Sequence, residues 1–232
     1  MAEAPQKPAS ERRETTRLAP SPTGALHLGN ARTFLVNWAL ARRQGWKIVL
    51  RVEDLDGPRV KAGAIESCVE TLSWLGMDWD EGPVVQSEDP GPHVRAMRSL
   101  AARGLAYPCE LTRAQIEEAA NAPHAPDPGG HGSESRFPPE LRPAAIGRRA
   151  FDDPDTNWRF VTPAGRVGFE DAFAGRVHQD PSASVGDFVI WTKRGQPAYQ
   201  LAVVVDDHRQ GVTQVVRGDD LLDSTARQLL LY

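Results

Sequence analysis

The chain has 232 residues, 40% of them hydrophobic and 25% charged, which suits a globular fold with one good core and a smaller insertion. A formal net charge of -4 argues against nucleic-acid binding through bulk positive charge, so any RNA contact has to come from a local patch or from specific docking. Two cysteines far apart, Cys68 and Cys109, argue against a disulfide framework and fit a reducing cytoplasm; no apolar run reaches membrane-spanning length and no export signal opens the chain.

Residues 1–14 are polar, with Pro5, Pro8 and a charge cluster at Glu11–Glu14, and read as a disordered leader. A short extended run at Arg17 and Leu18 follows. It breaks at Pro20 and Pro22, which disfavour helix at the residues before them, and turns at Thr23-Gly24. From Leu28 the apolar positions Phe34, Leu35, Trp38, Ala39 and Leu40 recur at helical spacing, predicting a helix to about Gln44 that stops at Gly45. A strand, a tight turn and a helix opening on His27-Leu28-Gly29-Asn30 make an anion site. The helix end offers unpaired N–H groups, Gly29 permits close backbone approach, and His27 adds a donor.

Lys47–Asp54 is a β-branched run and predicts the second strand of a βαβ unit, hence a parallel sheet with a right-handed crossover. Ligands of such sheets bind beyond the carboxyl ends of the strands, where the Arg17 segment and Glu53 would both lie. Gly63–Gly76 reads as an amphipathic helix with Ile65, Val69, Leu72 and Trp74 or Leu75 inward and Cys68 as a small core residue; Val94–Gly104 is another short helix. Asn157–Val161 and Arg166–Asp171 look like two strands joined by a turn at Thr162–Gly165. The second half of the parallel sheet is expected to start at Phe188–Trp191, with a buried apolar run at Gln196–His208 and a further strand at Val212–Leu221. A helix from Leu222 to Tyr232, capped by Asp223 or Ser224, closes the chain. Asp206, Asp207 and His208 read as strand-end groups that organise loops rather than as a metal cluster.

The segment Arg17-Leu18-Ala19-Pro20-Ser21-Pro22-Thr23-Gly24, followed by His27-Leu28-Gly29-Asn30, resembles the first signature of the class I aminoacyl-tRNA synthetases, in its glutamyl and glutaminyl branch. The resemblance runs from about Arg17 to Tyr232 and is weakest from Ala122 to Asp155. It implies an α/β fold: a Rossmann-like parallel sheet with helices on both faces, interrupted by a small mixed insertion. The domains would be the leader at 1–14, the first half of the catalytic domain at 15–105, an insertion against the tRNA acceptor end at 106–184, and the second half at 185–232. The second class I signature, a Lys-Met-Ser-Lys-Ser type element whose lysines hold pyrophosphate, is expected after the last helix and is not among these residues, nor is an anticodon-binding domain. The chain is therefore expected to be a fragment or catalytically impaired.

The resemblance also implies the site. Glutamate would be held by Arg17, Leu18, Ala19, Pro20, Ser21, Glu53, Tyr199 and Arg217, with Glu53 and Tyr199 on its ammonium and Arg217 on its side-chain carboxylate. His27, Gly29, Asn30 and Asp220 would bind ATP, which arrives with Mg2+, and His27 and Asn30 would be catalytic. Two planar arginine cations take carboxylates in bidentate fashion and suit glutamate over neutral glutamine. Charge grows on the α-phosphate oxygens during in-line adenylate formation, where a helix N-terminus and His27 stabilise it electrostatically. Arg142, Arg148, Arg149 and Arg159 are candidates for phosphate contacts of tRNA.

Members of this branch often carry zinc where Ala106-Tyr107-Pro108-Cys109-Glu110-Leu111 stands, through a Cys-x-Cys pair and later ligands. Here Leu111 holds the second place. Cys109 with His124 and His131 would make only an open, irregularly spaced set in a Pro/Gly-rich loop, so no zinc is expected. Val203 within Tyr199–Asp207, together with Val216–Gln228, resembles the branch that attaches glutamate to the queuosine base of tRNA(Asp). Ala31–Thr33 and Asp78–Pro83 look more like full glutamyl-tRNA synthetases. The expected protein is thus a cytoplasmic, monomeric ligase acting on L-glutamate, ATP and tRNA(Asp). The alternatives are a truncated enzyme charging tRNA(Glu) and a non-catalytic module that binds glutamate or tRNA.

Overall fold

The structure, a computed structural model, describes residues 13–24, 26, 28–120 and 136–232. They form two compact units. One runs to Ser87 and includes Arg209–Gly218; the other comprises Glu88–His208 and Asp219–Tyr232.

The first unit is built on a parallel sheet of β1 (Thr15–Leu18), β2 (Lys47–Val52) and β3 (Glu81–Val85), in the order β1-β2-β3. Helix α1 (Leu28–Gln44) connects β1 to β2, and α2 (Ala64–Trp74) lies between β2 and β3, the alternation expected of βαβ units. Register pairs Arg17 with Val49 and Leu18 with Leu50. Successive strand residues point to opposite faces. Leu18, Ile48 and Leu50 therefore face one way, into a core with Ala41, Leu72 and Met77, against which Phe34, Trp38, Val69 and Leu75 pack.

Helix α1 ends where the sequence says, with Gly45 at φ 71° and the Trp46 amide on the Ala41 carbonyl, a left-handed C-terminal turn. Its buried stripe differs from the apolar pattern. Leu28 and Leu35 are exposed, and the stripe centres on Asn37 and Ala41. Asn37 is buried because it bridges to β1, accepting from the Thr16 hydroxyl at 3.0 Å and donating to the Arg17 carbonyl at 2.9 Å. Likewise α2 turns Leu75 inward and leaves Trp74 exposed. Gly82 has φ 103° and a Cβ there would meet the Leu50 carbonyl oxygen at 2.3 Å, so only glycine lets β3 come alongside β2 at this register shift. Arg13 and Glu14, expected in the leader, are tied to the sheet end. Arg13 donates to the Gly45 and Trp46 carbonyls, and the Glu14 carbonyl accepts from the Lys47 amide. Residues 1–12 lie outside the described residues.

The second unit contains α3 (Gly91–Ala102), β4 (Ala106–Pro108), α4 (Arg113–Ala120), β5 (Trp158–Phe160), β6 (Val167–Asp171), β7 (Gly175–Gln179), α5 (Pro181–Ser184), β8 (Val189–Thr192), β9 (Gln196–Pro197), α6 (Tyr199–Arg209) and α7 (Ser224–Leu231), α6 passing into the first unit at its last residue. Three sequence expectations are corrected here. β5 and β6 do not form a hairpin: β5 lies between β4 and β8, and β6 pairs with β7. β8 belongs to this antiparallel sheet, not to the parallel one. The run after Pro197 is helix, not strand. Its Val203-Val204-Val205 suggested a strand, but the segment is a helix buried nearly all round from Gln200 to Asp207, and a short, continuously buried apolar run does not distinguish the two. Asp223 precedes α7 without a side-chain cap; Ser224 Oγ instead accepts from Gln200 and Arg227.

One buried carboxylate ties this unit together. Asp187 accepts from the Tyr107 hydroxyl at 2.8 Å, Arg142 Nε at 2.7 Å and the Thr162 amide at 2.9 Å. Burial, then the hydrogen bond to Asp187, pushes the Tyr107 hydroxyl far above its ordinary pKa, while the Asp187 bond raises that of Arg142. Asp187→Asn keeps the shape but removes the charge facing Arg142. It is expected to lower unfolding free energy by about 3 kcal/mol, the low end for a broken buried pair because Arg142 stays partly in water; urea denaturation of parent and variant measures it.

Candidate active site

The pleat that sends Leu18, Ile48 and Leu50 into the core sends Arg17 and Arg51 to the opposite face, with Glu53 next in phase. Arg17 is buried and Arg51 fully so. The carboxyl ends of β1 and β2 are laced together: the Glu53 amide donates to the Pro20 carbonyl at 2.9 Å, and Ser21 Oγ donates to the Glu53 carbonyl at 3.1 Å. The sequence run Arg17–Ser21 and Glu53 thus meet at one sheet edge, as expected.

Residues 209–218 return along the free edge of β1. The Thr213 and Gln214 amides donate to the Thr15 carbonyl, and Arg17 Nη1 donates to the Val216 carbonyl at 3.3 Å. The segment runs beside β1 without forming the regular strand anticipated. It carries Arg217, half-buried, one residue beyond the carbonyl that Arg17 holds. Sequence reasoning missed Arg51. Its guanidinium donates through Nε (3.2 Å) and Nη2 (3.0 Å) to Glu53 Oε1, and through Nη1 (2.8 Å) to Gln210 Oε1 on the return segment. Arginine two residues before the glutamate on an otherwise apolar strand was the signal available.

Gly29 and Asn30 sit exposed in the first turn of α1. His27 lies outside the described residues. Tyr199 opens α6 and remains partly exposed, and Asp220 is exposed in a short 3-10 turn; both belong to the second unit. Asp206 and Asp207 are buried on α6 rather than at a strand end, with Asp206 Oδ1 3.2 Å from His93 Nε2. Of the proposed phosphate-binding arginines, Arg142 is engaged by Asp187, and Arg159 donates to the Asp187 carbonyl and lies 4.1 Å over the Phe137 ring. Arg148 and Arg149 remain exposed.

A cleft of about 460 Å³ in the second unit runs past Cys109, Leu111, Arg113, Asp155, Asn157 and Lys193 and contains none of the expected glutamate or ATP residues. The Cys109 thiol is buried among Tyr107, Ile116 and Phe137, with Leu111 packed on the same cluster, an apolar setting that does not fit a zinc site. His124 and His131 lie outside the described residues, and among the described residues no three His, Cys, Asp or Glu side chains gather to hold a metal.

A parallel βαβ sheet that carries arginines and a glutamate at the carboxyl ends of its strands has the layout in which α/β folds bind their ligands. Residues 14–232 match the family of class I tRNA synthetases (E and Q), catalytic domain, and the chain belongs to that family. Among its relatives, a protein of Symbiobacterium thermophilum named glutamyl-Q tRNA(Asp) synthetase is 46% identical over 227 residues, covering 93% of this chain and 69% of the relative. A glutamate–tRNA ligase of Stenotrophomonas maltophilia is 40% identical, covering 94% of this chain and 45% of the relative. Among solved structures, a glutamate tRNA ligase of Elizabethkingia meningosepticum in complex with its amino acid superposes with a TM-score of 0.73 at 26% identity, over 95% of this chain and 47% of the other. The chain thus spans about two thirds of the glutamyl-Q relative and about half of the ligases.

Two outcomes follow. On the role that the resemblance implies for Arg217, Arg217→Gln is expected to weaken glutamate binding by about 2 to 5 kcal/mol, because the side-chain carboxylate would lose its partner, with ATP binding nearly unchanged. Calorimetric titration with each ligand checks this; parallel loss of both would mean that Arg217 only shapes its turn. Elemental analysis of purified protein is expected to find no stoichiometric zinc.

Proposed function

We propose that this chain is the catalytic domain of a ligase that activates glutamate with ATP and transfers it to the queuosine base of tRNA(Asp). What supports the reading is the strand end where the Arg17–Ser21 run meets Glu53 and where Arg17 holds the Val216 carbonyl, one residue before Arg217, in a chain of the class I family. That strand end offers guanidinium groups for carboxylates and a carboxylate for an ammonium, the two charge types of an amino acid with an acidic side chain.

In this reading glutamate lies along Arg17–Ser21. Glu53 and Tyr199 take its ammonium and Arg217 its γ-carboxylate. Its α-carboxylate attacks the α-phosphate of ATP in line, and pyrophosphate leaves, giving glutamyl adenylate. The N–H groups at the start of α1, with His27, Gly29 and Asn30, stabilise the charge that grows on the phosphate oxygens; Asp220 contacts the nucleotide. Mg2+ enters with ATP and neutralises phosphate charge. A hydroxyl of the tRNA then attacks the acyl carbon and AMP leaves. We further read the protein as cytoplasmic and monomeric; no helix among the described residues is long and apolar enough to cross a membrane.

The relative named glutamate–tRNA ligase supports a second reading, charging of tRNA(Glu). Transfer of labelled glutamate by the full gene product discriminates. With ATP, the expected acceptor is tRNA(Asp) bearing queuosine, with none on tRNA(Asp) lacking it or on tRNA(Glu). Label on tRNA(Glu) alone would establish the second reading. Binding of glutamate or tRNA without transfer to any of the three would establish a non-catalytic module.

A further inference from the structure

The glutamate site as proposed is assembled from segments far apart in sequence, β2 and the return after α6. Their backbones share no ladder with each other and are joined through β1, which pairs with β2 and takes the Thr213 and Gln214 amides at Thr15. β1 lies between them in the sheet. The direct link is a side chain. Arg51 is fully buried on β2, and its planar fork spans both: two donors on Glu53 Oε1 and one on Gln210 Oε1. Glu53 is two residues further along in the same phase, and its side chain, 14% exposed, is not sealed from solvent while Arg51 anchors Oε1. Gln210 starts the segment that delivers Arg217.

We propose that Arg51 is a positioning residue for amino-acid recognition. It fixes the Glu53 carboxylate that meets the substrate ammonium and sets the return segment so that Arg217 meets the side-chain carboxylate. The inference rests on the glutamate reading above. A guanidinium suits the task because its donors lie in one rigid plane and serve two acceptors at once, which the single ammonium of lysine does not reproduce. Burial strengthens the arrangement: letting go of Glu53 leaves charge unpaired in a dry setting, and letting go of Gln210 leaves a buried donor unsatisfied. Arg51 touches no substrate atom in this scheme. It acts on specificity through two residues that do, or that carry one that does.

The test uses the full gene product, with glutamate and ATP titrated separately by calorimetry and thermal unfolding recorded in parallel. Arg51→Lys keeps the charge and loses the fork. It is expected to weaken glutamate binding by about tenfold or more while changing ATP binding by less than about twofold, because misplacing a binding group costs affinity only for the ligand it meets. Gln210→Met, which removes only the second acceptor, is expected to shift glutamate affinity in the same direction by less, and it carries the test if Arg51→Lys does not fold. Unchanged glutamate affinity in a folded variant, or equal weakening of glutamate and ATP, would overturn the positioning role. Absence of glutamate binding by the parent would instead overturn the glutamate reading itself.

Discussion

The pleat of two neighbouring parallel strands governs the first unit. Because alternate residues face opposite ways, β1 and β2 turn Leu18, Ile48 and Leu50 to the apolar core and Arg17 and Arg51, with Val49, to the other face. Thr16 and Leu18 face α1, as the Thr16–Asn37 bond and the Leu18 core contacts show, and Arg17 between them faces away. A shift of one residue in either strand would bury the site's charges against Phe34 and Trp38 and expose Leu50. The register that builds the core is therefore the register that builds the site, and Asn37 protects it by bonding to both Thr16 and the Arg17 carbonyl.

The second unit meets a different constraint. Its sheet mixes short strands, and three-residue strands such as β4 and β5 bring few ladder bonds. The fold compensates with side-chain bonds to backbone and to buried acceptors. Asp187 takes donors from β4, from the turn that holds Arg142 and from Thr162 just past β5, while Trp158 and Trp191 send their indole N–H groups to the carbonyls of Asp153 and Pro154. Two rings stacked edge-on against Phe151 complete the packing. Cations are drawn into this scaffold. Arg142 and Arg159 read as RNA-binding candidates because sequence shows charge but not its partners; the fold uses both internally.

The elements that sequence made legible were those with strong punctuation. Gly45 and the apolar period fixed the end of α1, and β-branched residues fixed β2. The motif residues Arg17, Ser21 and Glu53 could be placed together because a βαβ unit has one topology and one edge for ligands. What sequence hid had physical causes. The run at Val203–Val205 has the composition of a strand and lies in a helix buried nearly all round, so neither composition nor apolar period separates the two. The pairing of β6 with β7, rather than β5, depends on where the intervening turn is stabilised: Asp171 Oδ1 takes the Phe173 and Ala174 amides, a local bond that no hydrophobic pattern reports. Arg51 was invisible because a charged residue inside a strand reads as an interruption until its partners are known.

The proposed ligands, an anionic amino acid and an anionic nucleotide, would have to be recognised by an acidic chain. With a formal net charge of -4, long-range attraction cannot gather such ligands. Recognition has to rest on a few cations whose positions are fixed in advance, so that the cost of ordering them is met on folding and not on binding. Arg17 and Arg51 have this character: both are buried, both are on one sheet face, and each is bonded to the return segment, at Val216 and at Gln210. Arg217 inherits its placement from them. In the proposed reading the family signature supplies the residues that meet the ligand and the Arg51 guanidinium supplies their placement, because a Glu53 side chain that swings and one that is held are different receptors for the same ammonium.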